Sequence, residues 1–215
     1  MAEKVIQQAG KEAAASGDSQ DLNYILPYLD AAIERFPDNV WLKLDKAKGL
    51  LGLGRHDDAL AFGMAVTKAK ASEYWAWELL GDIVALTDPA AALGCYCKAL
   101  CCPADDKFTG KVRLKLAQSM IETHDFPAAK LEVETVLRQK EREGQRVPEA
   151  AERIASQPWF ASTLANASNA DYYRAHAGAA ETLLLSQLPW IEANLGDRFV
   201  IPGMENKRMR PENPS

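Results

Sequence analysis

Residues 75–103, WAWELLGDIVALTDPAAALGCYCKALCCP, carry two apolar faces at helical spacing with a turn between them. Trp77, Leu80, Gly81 and Val84 recur at i, i+3, i+4 and i+7, which places them on the inner face of one helix. Ala92, Tyr96, Ala99 and Leu100 form the matching face of a second helix, which Pro103 closes. Asp88 has the short oxygen-bearing side chain that caps a helix start, and Pro89 suits the first helical position because its missing N–H is needed by no one there. The stretch therefore predicts a helix hairpin.

The pattern recurs in both directions. Toward the N-terminus, Ala47 and Leu50 take first-helix positions, Gly54 stands at the turn, and Ala59, Gly63 and Val66 follow in a second helix. Toward the C-terminus, Leu116, Ala117 and Met120 precede Asp125, Phe126 and Pro127, and then come Ala129, Val133 and Val136. The turn alanines Ala59, Ala92 and Ala129 lie 33 and 37 residues apart. In order, Trp, Leu-Gly, a large residue, Ala, an aromatic residue, Ala and a closing Pro resemble the tetratricopeptide (TPR) repeat, whose period is about 34 residues. Lys43 and Arg113 stand where that pattern has Trp, and Lys46 where it has Leu.

The resemblance implies an all-α, TPR-like right-handed α-solenoid over residues 1–143, with units near 40–72, 73–106 and 108–143. Upstream, Lys4 to Ala15 pairs with a helix ending at Phe36 before Pro37, a degenerate first unit, and Pro27 predicts a kink or a helix start nearby. Downstream, the polar run Arg138 to Glu143 extends the last repeat until Gly144 ends it. Residues 144–195 read as a C-terminal helical cap, with a short helix over Pro148–Ala155 and a polar link over Asn166–Asn169. A longer helix from Asp171 to about Leu188 carries the stripe Tyr172, His176, Ala179 and Leu183. Residues 196–215 are Gly, Pro, Asn and Arg rich and read as a flexible tail.

Composition narrows the function classes. The chain has 215 residues, 47% of them apolar and 26% charged, ordinary usage for a globular protein. A net charge of -5 argues against nucleic acid or an anionic membrane as partner, since both need a field of Lys and Arg. The one basic concentration is Arg198, Lys207, Arg208 and Arg210 in the tail. With no apolar run of the ~20 residues that cross a bilayer and no secretory pattern in Met1–Gly17, a soluble cytoplasmic protein is expected.

Candidate chemistry is sparse. Cys95, Cys97, Cys101 and Cys102 fall on one helix, so four thiolates cannot converge on a tetrahedral metal, and they read as reduced, compact filler. His56, His124 and His176 are scattered, the first two at solvated turns, and no nucleophile, base and orienting acid fall together. Gly49, Gly52 and Gly54 follow a helix rather than a strand, and no Lys-Ser or Lys-Thr comes after them, so a phosphate loop is not supported. No catalytic residue, metal site or cofactor is expected, and the chain is read as non-enzymatic. Asn166-Ala167-Ser168 matches a glycosylation acceptor, which a cytoplasmic chain would not expose to that machinery.

What remains is surface. In TPR arrays the first helix of each unit lines a concave groove, and the resemblance places Trp41, Leu44, Lys48 and Leu51 there from one unit. Trp75, Glu78, Asp82 and Ala85 follow from the next, and Lys111, Leu114, Gln118 and Ile121 from the third. Two tryptophans one repeat apart, flanked by both signs of charge, suit a peptide or helix anchored by its apolar residues; they could equally pack against neighbouring helices. Lys111 and Lys115 match basic positions with which some TPR proteins hold a C-terminal carboxylate, but the accompanying asparagines are absent. The expected function is a protein-binding adaptor, scaffold or inhibitor. A second reading starts from Trp159, Phe160, Tyr172, Tyr173 and Trp190, which either cover the end of the array or belong to a linking segment. Tyr172-Tyr173 through Leu188-Pro189-Trp190 resembles the segment joining a helical array to a nucleic-acid-binding barrel in some bacterial conflict or defence proteins.

Overall fold

In the computed structural model, which describes residues 2–186, the apolar periodicities become eleven α-helices, and no strand occurs among the described residues. The first hairpin is α1 (Ala2–Ser16) with α2 (Ser19–Arg35). Three more follow: α3 (Val40–Gly52) with α4 (His56–Ala69), α5 (Tyr74–Val84) with α6 (Pro89–Cys101), and α7 (Asp106–Glu122) with α8 (Phe126–Arg142). Each hairpin packs on the next through α2 and α3, α4 and α5, and α6 and α7, while α1 also lies against α3. This is the stacking of an all-α TPR-like solenoid. Three further helices complete it: the short α9 (Glu149–Ala155) and α10 (Pro158–Ser162), and the longer α11 (Ala170–Leu185). One compact unit runs to Leu184 and a second begins at Leu185. Trp190 and the tail at 196–215, with Arg198, Lys207, Arg208 and Arg210, lie outside the described residues.

Local chemistry explains the boundaries. Asp18, Asn39, Asp88, Asp105 and Asp125 each accept a backbone N–H at the start of the helix that follows, satisfying donors that have no partner within the helix. At the turn after α3, Gly54 takes φ +71° and Arg55 N–H bonds back to Leu50 O at 2.9 Å. The same closure ends α7, where Asp125 N–H reaches Met120 O at 2.8 Å, but there His124 occupies the left-handed position at φ 62°. Pro27 sits inside α2, which starts eight residues earlier at Ser19 because Asp18 supplies the cap. Its ring faces outward, and the buried Leu22, Ile25, Leu26 and Leu29 hold the other side.

The core follows the repeat. Trp77, Leu80, Ile83, Leu116 and Met120 are nearly fully buried, with Ala47, Ala59, Ala92, Ala99, Ala117 and Ala129 where helices approach closely. Gly81 is required: a Cβ there would fall 2.6 Å from Cε1 of Tyr96. Arg113, at the position Trp77 holds one unit earlier, has its guanidinium paired with the fully buried Glu132 at 2.7 Å.

The C-terminal helices differ from expectation in register and in role. On α11 the buried residues are Ala177, Ala180 and Leu184, and Tyr173 O–H donates to Glu132, so the inward face lies one position on from the stripe Tyr172, His176, Ala179 and Leu183. Gly94 on α6 lets α11 approach closely, since an added Cβ there would fall 2.9 Å from Ala179 Cβ and 3.0 Å from His176 O and Ala180 N. α11 meets α6 at Gly94 and α8 through Tyr173 and Glu132. The residues 166–169 are more than a polar link, because Asn169 is buried and its Nδ2 donates to Ala128 O and Glu132 Oε1. Trp159 stacks on Phe126 at 4.8 Å, and Lys130 Nζ donates to the carbonyls of Phe160 and Thr163, fixing α10 to α8.

Candidate functional site

First helices of successive hairpins share one side of a solenoid, so residues four apart on each of them line a common groove. Here α1, α3, α5 and α7 enclose a groove of about 800 Å³. Trp41, Leu44, Lys48 and Leu51 enter from α3, Trp75, Glu78 and Asp82 from α5, and Lys111 from α7. Leu114 and Gln118, expected beside them, line an adjoining cavity of about 340 Å³ with Ala150, Arg153 and Ile154, and Lys115 lines both. They do so because α9 follows α7 along the same side, and the far end of α7 faces it.

The floor is aromatic. The rings of Trp41 and Trp75 are stacked with centroids 5.5 Å apart and planes inclined by 24°. They pack on each other, yet Trp41 keeps 43% of its surface exposed, so the pair still presents a face to solvent. Lys70 Nζ lies 5.7 Å from the Trp41 ring centroid.

Charge in the groove is less balanced than the residue types suggest. Lys115 Nζ donates to Glu78 at 2.6 Å and to Asp82 at 2.7 Å, and Tyr96 O–H donates to the other Asp82 oxygen at 3.0 Å. Burial pulls Lys115 toward deprotonation, but the two carboxylates outweigh it and leave its pKa raised. Lys115 thus holds both carboxylates and cancels half of their combined negative charge. Lys11, Lys48 and Lys111 have no ion-pair partner among the described residues. Asp45 is buried, its Oδ2 has no hydrogen-bond partner, and burial pushes its pKa up to about 6 against the fields of Lys48 and Lys11.

Gln7, Lys11 and Ala14, together with Asp45 and Leu79, are groove residues that the repeat positions did not supply. The three from α1 lie on one helical face at i, i+4 and i+7, a signal present in the sequence once α1 is placed in the row of first helices. Lys115 matches a basic position of the repeat, but its pairing with Glu78 and Asp82 could not be read from spacing, since it depends on reaching across to α5.

The thiols and imidazoles form no comparable cluster. Cys95 and Cys97 are buried, and desolvation pushes each up to about 12, the thiol form being the only one suited to such surroundings. Cys101 is exposed and Cys102 half-buried. His56 is not a solvated turn residue, because its Nδ1 lies 2.9 Å from Ile83 O, linking α4 to α5. His176 stacks on Tyr172 at 4.1 Å. Among the described residues no group of three His, Cys, Asp or Glu side chains could hold a metal ion, and no helix is long and apolar enough to cross a membrane.

Stacked helix hairpins around a lined concave groove define a TPR-like repeat solenoid. The chain belongs to the family described as a domain of unknown function, DUF7017, whose profile matches residues 40–180. That span takes in the hairpins from α3 to α8 and most of α11. A crystal structure of the MamA protein has a similar fold, with a TM-score of 0.55 and 14% sequence identity over 89% of this chain and 98% of that one. No curated protein matches the chain by sequence.

Proposed function

We propose that the chain is a non-enzymatic protein-interaction module whose concave groove holds a peptide or helix from a partner protein, with residues 1–143 as the array and 144–195 as its cap. The observation that carries this reading is the Trp41–Trp75 stack, exposed on one face at the floor of a groove of about 800 Å³. Exposed stacked aromatics of this kind are where interfaces concentrate binding energy. Lys115 holds Glu78 and Asp82 together, and Lys11, Lys48 and Lys111 have no ion-pair partner among the described residues, so the segment that fits is a polar one with an apolar anchor, its carboxylates meeting these lysines.

A photo-crosslinking residue replacing Lys48, with a control at the exposed Tyr24 on α2, tests the assignment in the native host. Specific crosslinking to one protein from position 48, lost when Trp41→Ala is added, is the expected result. Equal products from both positions, or products indifferent to Trp41, would overturn it. The nucleic-acid reading depends on the tail and on Leu188 to Trp190, all of which lie outside the described residues.

A further inference from the structure

Two buried side-chain hydrogen-bond donors among the described residues have no partner, Arg113 Nε and Gln139 Nε2, and both line the same cavity. It has a volume of about 630 Å³ and lies on the other side of α7 from the groove, between α7, α8 and the segment 167–170 that begins α11. Gln139 is only 6% exposed, and its Oε1 accepts from Arg142, which fixes the amide with its nitrogen left over. The terminal nitrogens of Arg113 are taken by Glu132 and Asp106, each at 2.7 Å, leaving Nε alone.

Arg138 and Arg142 line the same space, and neither has a carboxylate partner among the described residues. Arg138 reaches only Glu134 O at 3.3 Å and the Thr135 hydroxyl at 3.4 Å. The one acid in the lining is Asp106, already held by Arg113. With Glu132 counted beside Asp106, three guanidiniums face two carboxylates, so the lining is cationic by one charge, supplied by Arg138 and Arg142, in a chain whose net charge is -5. A buried donor without an acceptor costs on the order of 1–3 kcal/mol, so a ligand bearing several acceptor oxygens is what this lining lacks. The donors come from α7 and from two turns of α8, and guanidinium groups match the oxygens of a phosphoryl group. The volume leaves room for an organic body beside it.

We propose that this cavity binds a phosphomonoester, its phosphoryl oxygens accepting from the exposed Arg138 and Arg142 and, once the lining side chains shift to uncover them, from Gln139 Nε2 and Arg113 Nε. The site is separate from the groove and does not depend on what the groove holds.

The test is calorimetric titration of the full chain, at constant ionic strength, with inorganic phosphate, ribose 5-phosphate and a short phosphoserine peptide, alongside citrate. Saturable binding of at least one phosphate compound is expected, and whichever binds tightest distinguishes free phosphate, a small organic phosphate and a phosphorylated side chain. The Gln139 side-chain amide resonance should shift on saturation. Arg138 and Arg142 are exposed and free of structural ion pairs, so Arg138→Gln with Arg142→Gln should leave the Tm unchanged and weaken binding about tenfold or more. Absence of saturable binding by all three phosphate compounds, equal binding of citrate, or undiminished affinity in the double variant would each overturn the assignment.

Discussion

Arg113 Nη1 lies 2.7 Å from Glu132 Oε2, a charge pair at the position where the preceding unit buries Trp77. Glu132 is fully buried and also accepts from Tyr173 O–H and Asn169 Nδ2, so one carboxylate gathers donors from α7 and from both ends of the segment entering α11. Desolvation works against the Arg113 cation, but Glu132 and Tyr173 leave its pKa raised. Breaking such a pair strands a buried charge, which costs about 3–5 kcal/mol. Glu132→Ala should lower the unfolding free energy in urea by that order, and a loss under 1 kcal/mol would show the network to be dispensable.

The packing of α11 depends on Gly94. An added Cβ would meet the backbone of His176 and Ala180 at 3.0 Å, atoms that cannot rotate away. Gly94→Val should therefore displace α11 while the hairpins α3–α4 and α5–α6 keep their own cores. Hydrogen exchange is expected to accelerate in residues 170–184 and to change little in α3 and α5; uniform acceleration throughout would mean that α11 is integral to the array.

Asp45 makes stability depend on pH in a stated direction. Its folded pKa, about 6, lies above the ordinary carboxylate value of 3.8, so the folded state holds this proton more tightly than the unfolded one. The group's relative stabilisation is full below about pH 4 and is lost as pH rises through about 6. Asp45→Asn removes the buried charge and should raise stability by roughly 1–3 kcal/mol at pH 7 and by little at pH 4. Unfolding curves at both values check this, and an equal effect at each would indicate a packing change instead.

The cysteines should react in order of exposure. Cys101 is exposed, whereas Cys95 and Cys97 are buried with thiols pushed up to about 12 by desolvation. Alkylation at pH 8 followed by peptide mass spectrometry should label Cys101 first, Cys102 more slowly, and Cys95 and Cys97 only after unfolding. Early modification of Cys97 would show that α6 opens locally.

The repeat was legible because its residues report on their nearest neighbours. Asp88-Pro89, Gly54 and the apolar stripes through Trp77 and Tyr96 act within a hairpin, over distances that a 3.6-residue period fixes. The groove was legible in part for the same reason: Trp41, Lys48, Trp75 and Glu78 follow from helix phase once the repeat is aligned. His124 could not be read as a left-handed turn residue, since nothing in its side chain demands φ 62°; the closure of Asp125 onto Met120 imposes it.

By itself, then, the sequence determined the helices, their caps, their stacking in hairpins and most of the groove lining, all consequences of local periodicity. Only the tertiary structure decided what each charge is for. Lys115 pairs with two groove carboxylates at once, Arg113 turns a missing tryptophan into a buried ion pair, and Gly94 lets α11 close on α6, because each effect depends on an approach between segments far apart in the chain.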